Sequence, residues 1–372
     1  MRVVLTGGGT GGHIYPAIAL WRRMARELGQ LDVLYIGSER GLERDIVPRQ
    51  GLTFAAIPAA GLKRELSLAA VRTLVTTWRG YRQAHRLLRR FRPDVVVGTG
   101  GYVTLPVVFA ASRRGIPSVV WEGNARPGLT NQLCARRAHS VAVSFPDSER
   151  WFPRARRVVV TGNPRASEVL DVSLDRVAAA RREYGLDPER KLVVCFAGSR
   201  GAETVNEVVT ELLPRFADRP QWQLLYVTGG AHYDDVEARV RRHADRVPGN
   251  VRLVPFVHDM PPVLRQADVV VTRAGSSTLA EICALGLAAV LIPSPYVTAN
   301  HQEENAMRLA ERGAALMIRE RELSADRLWE VLTRVLDGGE GARLRQAAKA
   351  LATPRAVDDL FELVMEAASA SR

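Results

Sequence analysis

The stretch Val3-Val4-Leu5-Thr6-Gly7-Gly8-Gly9-Thr10-Gly11-Gly12-His13-Ile14-Tyr15-Pro16 decides how the rest of the chain is read. Strand formers run directly into glycines, and apolar residues then recur at helical spacing at Ile14, Ala17, Ile18 and Trp21. Pro16 suits a first helical turn, where the missing N–H removes no needed donor. The predicted unit is strand, glycine turn, helix. Glycines permit a tight turn and close approach to the backbone. The helix start offers N–H groups and partial positive charge, so the loop is expected to face an oxyanion or a polar ligand. Read literally, Gly7-x-Gly9-x-x-Gly12 matches a dinucleotide fingerprint, a pattern that a merely tight turn also produces. His13 adds chemistry, because a side chain that titrates near neutrality can act as a base at the same crevice. A histidine hydrogen-bonded for structure is the equal alternative.

Working outward, short apolar runs stand at Val3–Leu5, Val33–Ile36, Phe54–Ile57, Val95–Val97, Ser118–Trp121, Val141–Val143 and Val158–Val160, with helical patterns between most of them. A second series follows at Leu192–Ala197, Leu224–Val227, Val251–Val254, Val269–Val271, Ala289–Ile292 and Ala315–Ile318. Alternation of this kind predicts an α/β protein with open, mainly parallel sheets covered on both faces. Each series opens with strand, glycine turn, helix, so two doubly wound domains are expected, with ligands at the carboxyl ends of their strands. Gly162-Asn163-Pro164 marks the boundary. The expected domains are 1–163 and 164–345, with the helices of 346–372 packing back on the first.

A chain of 372 residues that is 47% hydrophobic can bury two cores. No apolar run approaches the roughly 20 residues of a membrane span, and a strand at the very start predicts no signal peptide. Cys134, Cys195 and Cys283 are far apart and contain no CxxC, which fits a reducing cytoplasm without a disulfide or zinc framework. A net charge of +12 raises nucleic-acid binding. Lysine occurs only at Lys63, Lys191 and Lys349, so arginine supplies nearly all of the positive charge, spread along the whole chain. No nucleic-acid motif accompanies it, and no nucleic-acid partner is expected.

Other turns carry information. Gly98-Thr99-Gly100-Gly101-Tyr102 is a second glycine turn on the same sheet edge, expected to face an acceptor through Gly100, Gly101 and Tyr102. Trp121-Glu122-Gly123-Asn124 ends a strand on an acid and an amide. In the second half, Gly198-Ser199-Arg200-Gly201-Ala202 and Arg273-Ala274-Gly275-Ser276-Ser277-Thr278 each lead into a helix start suited to phosphate. Glu281 lies about a turn inside that second helix. It is either an exposed first-turn acid or a carboxylate that accepts from a ribose diol. The stretch from Pro293 to Ala306 opens a polar helix whose amides can read sugar hydroxyls.

Taken together and in order, Gly8-Gly9-Thr10-Gly11-Gly12-His13, Gly100-Gly101-Tyr102, Gly162-Asn163-Pro164, Gly198-Ser199-x-Gly201-Ala202, Arg273-x-Gly275-x-x-Thr278-x-x-Glu281 and Gln302-x-x-Asn305-Ala306 resemble the MurG family of bacterial glycosyltransferases. The resemblance implies a GT-B fold, two Rossmann-like domains facing across a cleft. It implies transfer of N-acetylglucosamine from UDP-GlcNAc to undecaprenyl-linked lipid I, giving lipid II with inversion. By position it gives donor contacts to Arg165, Ser199, Val257, Ser276, Ser277, Thr278, Glu281 and Gln302, and to Thr10, Gly11, Gly12 and Asn124 on the facing wall, which His13 also lines. It further implies peripheral attachment to the anionic cytoplasmic face of the inner membrane, and other cell-wall synthesis proteins as partners.

Inverting transfer needs a base for the acceptor hydroxyl, and His13 is the first candidate, with Glu122 the alternative. No D-x-D occurs, so neither a metal nor a cofactor is expected, and helix starts take the diphosphate charge. The segment Lys63–Arg92 interleaves Val71, Val75, Trp78 and Tyr81 with Arg79 and Arg82, the pattern of a surface that lies on anionic lipid. Competing readings are a glycosyltransferase for diacylglycerol-type acceptors, and an NAD-dependent oxidoreductase with Glu39 as the ribose-binding acid.

Overall fold

The computed structural model describes residues 1–61, 68–198, 202–241, 248–297 and 300–370, with the side chains of 68–71 also outside the described set. Ser199 and the side chain of Val71 therefore lie outside the described residues.

Seven parallel strands form the first sheet: β1 (Arg2–Thr6), β2 (Asp32–Ser38), β3 (Thr53–Ile57), β4 (Val95–Gly98), β5 (Ser118–Glu122), β6 (Ser140–Val143) and β7 (Val158–Val160). Their order is β3-β2-β1-β4-β5-β6-β7. The second sheet contains β8 (Lys191–Phe196), β9 (Trp222–Val227), β10 (Val251–Val254), β11 (Val269–Thr272), β12 (Ala288–Leu291) and β13 (Leu316–Met317), ordered β10-β9-β8-β11-β12-β13. Every strand run expected from the sequence is present. The β-branched central strands are buried on both faces, as a helix-covered parallel sheet requires.

In each sheet the order reverses beside the first strand. β1 pairs with β4 through Thr6 opposite Gly98, and β8 pairs with β11 through Phe196 opposite Thr272. Ligands of open α/β sheets bind at such reversal points, outside the carboxyl ends. The Gly7–Thr10 and Thr99–Tyr102 turns sit at the first of these, and the turns after β8 and β11 at the second.

The chain divides into two compact units, Met1–Ser167 with Thr353–Arg372, and Glu168–Ala352. Both boundaries lie beyond those expected. Asn163 Oδ1 accepts from the Arg165 N–H at 3.0 Å, and Ser167 Oγ donates to Pro354 O at 2.8 Å, which keeps residues 164–167 in the first unit. At the other crossing, Lys349 Nζ donates to Ala284 O at 2.7 Å, and Leu344 and Ala348 are buried, so 346–352 stay with the second unit.

The last helix, Ala356–Ser369, returns to the first unit. Leu360, Leu363, Val364 and Ala367 share one apolar core with Val3, Leu5, Ile14 and Trp121. Arg23 Nε meets Asp358 Oδ1 at 2.6 Å beside it. Leu360 is fully buried. Leu360→Ala should therefore destabilise the first unit by about 2–5 kcal/mol, a transfer loss plus a cavity. Guanidinium denaturation measures this, and an unchanged unfolding curve would show that the helix is not part of that core.

Candidate active site

The first glycine turn is held at three consecutive residues. Tyr35 Oη donates to Gly7 O at 2.9 Å. Burial, with the nearby Glu43 charge, pushes the Tyr35 phenol far above its usual range, so it remains a donor. Gly8 N–H donates to Gly100 O at 3.1 Å, and Gly9 N–H donates to Glu43 Oε2 at 2.9 Å. Thr10 then begins the helix Gly11–Glu27 without a side-chain cap. A glycine at 101 is required, because a Cβ there would lie 2.3 Å from Gly8 O, and its φ is +83°. The two turns are thus in backbone contact.

This packing orients His13. Its Nδ1 lies 2.9 Å from Gly8 O. A carbonyl can only accept, so Nδ1 carries the proton and the neutral ring has its lone pair on Nε2. Thr99 Oγ1 donates to the His13 carbonyl at 2.6 Å and fixes the residue from below. The ring lies against Gly100: a Cβ at 100 would stand 3.0 Å from His13 Nε2 and 3.5 Å from Asn131 Nδ2.

Asn131 connects this corner to Glu122, donating to Glu122 Oε2 at 2.9 Å. Glu122 Oε2 also accepts from Gly128 N–H at 3.2 Å, and Oε1 from the Asn124 N–H at 2.8 Å and Nδ2 at 3.1 Å. Glu122 is 2% exposed, and burial pushes its carboxyl above the usual range although these donors pull the other way. A raised value suits a base, but both oxygens are turned inward to their own loop. Glu122 holds the Asn124–Gly128 turn.

The first turn differs from expectation in its charge. Glu43 occupies a backbone N–H and sets a carboxylate beneath the loop, which disfavours an anion there. Glu39, the candidate ribose ligand of a dinucleotide reading, is exposed at the end of β2. Arg165, expected on the donor side, belongs to the first unit, with its guanidinium 5.5 Å from the Tyr15 ring centre.

Tyr102 is half exposed, with Gly61 against its ring. On the helix Leu68–Phe91, Leu74 (61% exposed), Val75 (45%) and Trp78 (55%) face outward with Arg72, Arg79 and Arg82, and the Arg82 guanidinium lies 4.9 Å from the Trp78 ring centre. Tyr81 is different. It packs against the core formed by Val4, Ile36, Val96 and Val107, because helical rotation turns it inward between Trp78 and Arg82.

In the second unit the turn Arg273-Ala274-Gly275 leads into the helix Ser276–Leu285, whose N-terminus has no side-chain cap and no acid in its first turn. Ser277 Oγ is buried without a hydrogen-bond partner among the described residues. Positive helix end and spare hydroxyl suit a phosphate. Glu281 is 7% exposed, which removes the reading of a solvated first-turn acid. Gln302 Oε1 accepts from Ser294 N–H at 2.9 Å, and the Val257 side chain is buried beside exposed Phe256. Two motif residues gain a structural role, one of them through Glu320, which the sequence did not single out. Asn305 Nδ2 donates to Ala274 O at 3.2 Å, and Arg273 pairs with Glu320 at 2.5 Å while donating to Ile292 O at 3.1 Å. Both fix the turn that presents the helix start.

Residues 3–143 match the glycosyltransferase family 28 N-terminal domain, and residues 192–360 the glycosyltransferase family 28 C-terminal domain. The UDP-N-acetylglucosamine–N-acetylmuramyl-(pentapeptide) pyrophosphoryl-undecaprenol N-acetylglucosamine transferase of Halalkalibacterium halodurans is 47% identical, covering 99% of this chain and 100% of its own. That of Bacillus licheniformis is 46% identical, covering 98% of each. A crystal structure of Acinetobacter baumannii MurG superposes with a TM-score of 0.76 at 26% identity, covering 98% of this chain and 99% of its own. UDP-GlcNAc 2-epimerase from Neisseria meningitidis shares the fold with a TM-score of 0.70 at 15% identity, over 98% of this chain and all of its own. Near-complete matches on both sheets, joined to a paired glycine turn with an oriented histidine, make this chain a member of the MurG family of N-acetylglucosamine transferases within glycosyltransferase family 28.

Proposed function

We propose that this protein transfers N-acetylglucosamine from UDP-N-acetylglucosamine to the N-acetylmuramoyl group of pentapeptide-bearing, undecaprenyl-diphosphate-linked lipid I, forming lipid II. The observation that carries the reading is 47% identity, over 99% of the chain, to a relative whose name states that transfer. In the reaction the acceptor hydroxyl oxygen attacks the anomeric carbon, the bond from that carbon to the diphosphate oxygen breaks, and configuration inverts. The hydroxyl proton passes to His13 Nε2. The Ser276–Leu285 helix start and its hydroxyls take the charge that grows on UDP, so the reading assigns no step to a metal or cofactor. Thr10, Gly11, Gly12 and Asn124 line the acceptor side with Gly100, Gly101 and Tyr102. The purified protein should convert a lipid I analogue with UDP-GlcNAc and respond poorly to UDP-glucose and UDP-GalNAc. Equal use of all three would defeat the reading of the donor.

Glu281 accepts from the ribose diol of the donor, with Gln302 reading the sugar and Val257 the base. A charge-assisted hydrogen bond contributes about 1.5–3 kcal/mol. Calorimetric titration with UDP should show Glu281→Ala weakened by at least one such bond and Glu281→Gln by less. Unchanged affinity in Glu281→Ala would remove the residue from the donor site.

His13 acts on the acceptor and not on donor affinity. Losing a general base typically costs about 10²–10⁴ in rate. His13→Ala and His13→Asn should both lose kcat on that scale while the UDP Kd stays the same. Substantial activity in His13→Asn would reduce the histidine to a hydrogen-bonding role.

The acceptor is a lipid, and the protein reaches it by lying on the cytoplasmic face of the membrane. Leu74, Val75 and Trp78 enter the interface, and Arg72, Arg79 and Arg82 meet anionic headgroups. Sedimentation with anionic vesicles should weaken as salt rises, because exposed charges are screened. Leu74→Ser with Trp78→Ser should weaken it further while circular dichroism is unchanged. Full vesicle binding by that variant would move the contact elsewhere.

A further inference from the structure

Glu43 is fully buried, yet among the described residues it forms no ion pair with lysine or arginine. Isolated buried carboxylates are costly, so its contacts must compensate. Oε1 accepts from the Ser38 N–H at 2.9 Å and from Ser38 Oγ at 2.5 Å, and Oε2 accepts from Gly9 N–H at 2.9 Å. The chain leaves no room for anything else around it. A Cβ at Gly8 would stand 2.2 Å from Oε1, and one at Gly41 would stand 2.1 Å from Oε2. The carboxylate therefore clamps the end of β2 to the first glycine turn and presses on Gly8, whose carbonyl receives His13 Nδ1 at 2.9 Å.

We propose that Glu43 is the positioning residue for His13. By holding Gly9 and abutting Gly8, it aims the Gly8 carbonyl at Nδ1 and so fixes both the ring orientation and the tautomer with its lone pair on Nε2. Charge matters as well as shape. A carboxylate is acceptor-only, so both oxygens can serve three donors at once, whereas an amide turns an NH₂ group toward one of them. Charge-assisted bonds to backbone N–H are also roughly twice as strong as neutral ones. The kinetic consequence rests on the reading of His13 as the base, while the structural consequence does not.

Two readouts separate these. Nitrogen NMR of protein labelled in histidine, with the His13 signals assigned by their loss in His13→Asn, reports the tautomer directly. Wild type should show a protonated Nδ1 and an unprotonated Nε2. Glu43→Gln should lose that single signature and mix tautomers. Its kcat in the lipid I assay should fall by about 10²-fold, the scale of a small misplacement of a reacting group, with UDP Kd unchanged. Should Glu43→Gln fail to fold, Ser38→Ala removes one bond to Oε1 and should move both readouts the same way, with kcat down about 2–10-fold. A folded variant that keeps the wild-type His13 signature overturns the proposal, even if its kcat has dropped. A lost signature with kcat intact supports the positioning role and sinks the reading of His13 as the base.

Discussion

Three consecutive residues, Gly7, Gly8 and Gly9, each have a backbone group held by a different element: Tyr35 from β2, the Gly100 turn after β4, and Glu43 from the helix Glu43–Arg49. Loops at sheet ends are ordinarily the mobile part of an α/β protein. Here the turn is hydrogen-bonded along its length, because its glycines admit neighbours to the backbone that a side chain would exclude. His13 is tied to it by the Nδ1 contact with Gly8 O. If His13 is the base proposed above, a ring already held by a backbone carbonyl needs little reorganisation before it accepts a proton.

Glu122 repeats the device two strands away. It too is a buried carboxylate, filled by N–H donors from its own loop and from Asn131. Asn131 lies beside the space occupied by Gly100 and the His13 ring, so the loops after β1, β4 and β5 form one connected layer. In the second unit the Arg273–Glu320 pair and the Asn305 bond to Ala274 O brace the turn from behind, and the helix start itself is left uncapped. One unit spends its polar groups on holding backbone. The other leaves N–H groups and a hydroxyl available at a positive helix end.

The strands were legible because buried parallel strands must be runs of β-branched residues, and Val95–Val97 and Val269–Val271 can be little else. The glycine turns were legible for the matching reason, that a strand ending in glycines before a helical pattern has few other meanings. Glu43 was not. Its partners are backbone groups at 9 and 38 and the Ser38 hydroxyl, and an acid in Gly41-Leu42-Glu43-Arg44 reads as a solvated helix start until the chain folds it under the first turn. Tyr81 was misjudged through register: an interfacial pattern gives the faces of a helix, but which face meets the core depends on the neighbour it packs against. The domain edge moved because Pro164 ends the regular structure, while Asn163 and Ser167 tie the next turn back to the first unit. Neither bond has a sequence signature beyond its residue type.

The two units also differ in sign, and the difference suits the proposed chemistry. In the proposed reaction His13 takes the acceptor proton, and Glu43 sets its carboxylate under the same loop layer. That same carboxylate opposes a diphosphate at the first turn. In the same proposal negative charge grows on the departing UDP, and a helix start such as that at Ser276, with no acid in its first turn, favours an anion. A dinucleotide fold uses its first glycine turn as the phosphate cradle. In this chain a buried acid lies under the turn after β1, and the turn after β11 leads into a helix start with no acid in its first turn. The glycine spacing alone could not distinguish the two uses, since both need the backbone bare. What separates them is the charge placed under the turn.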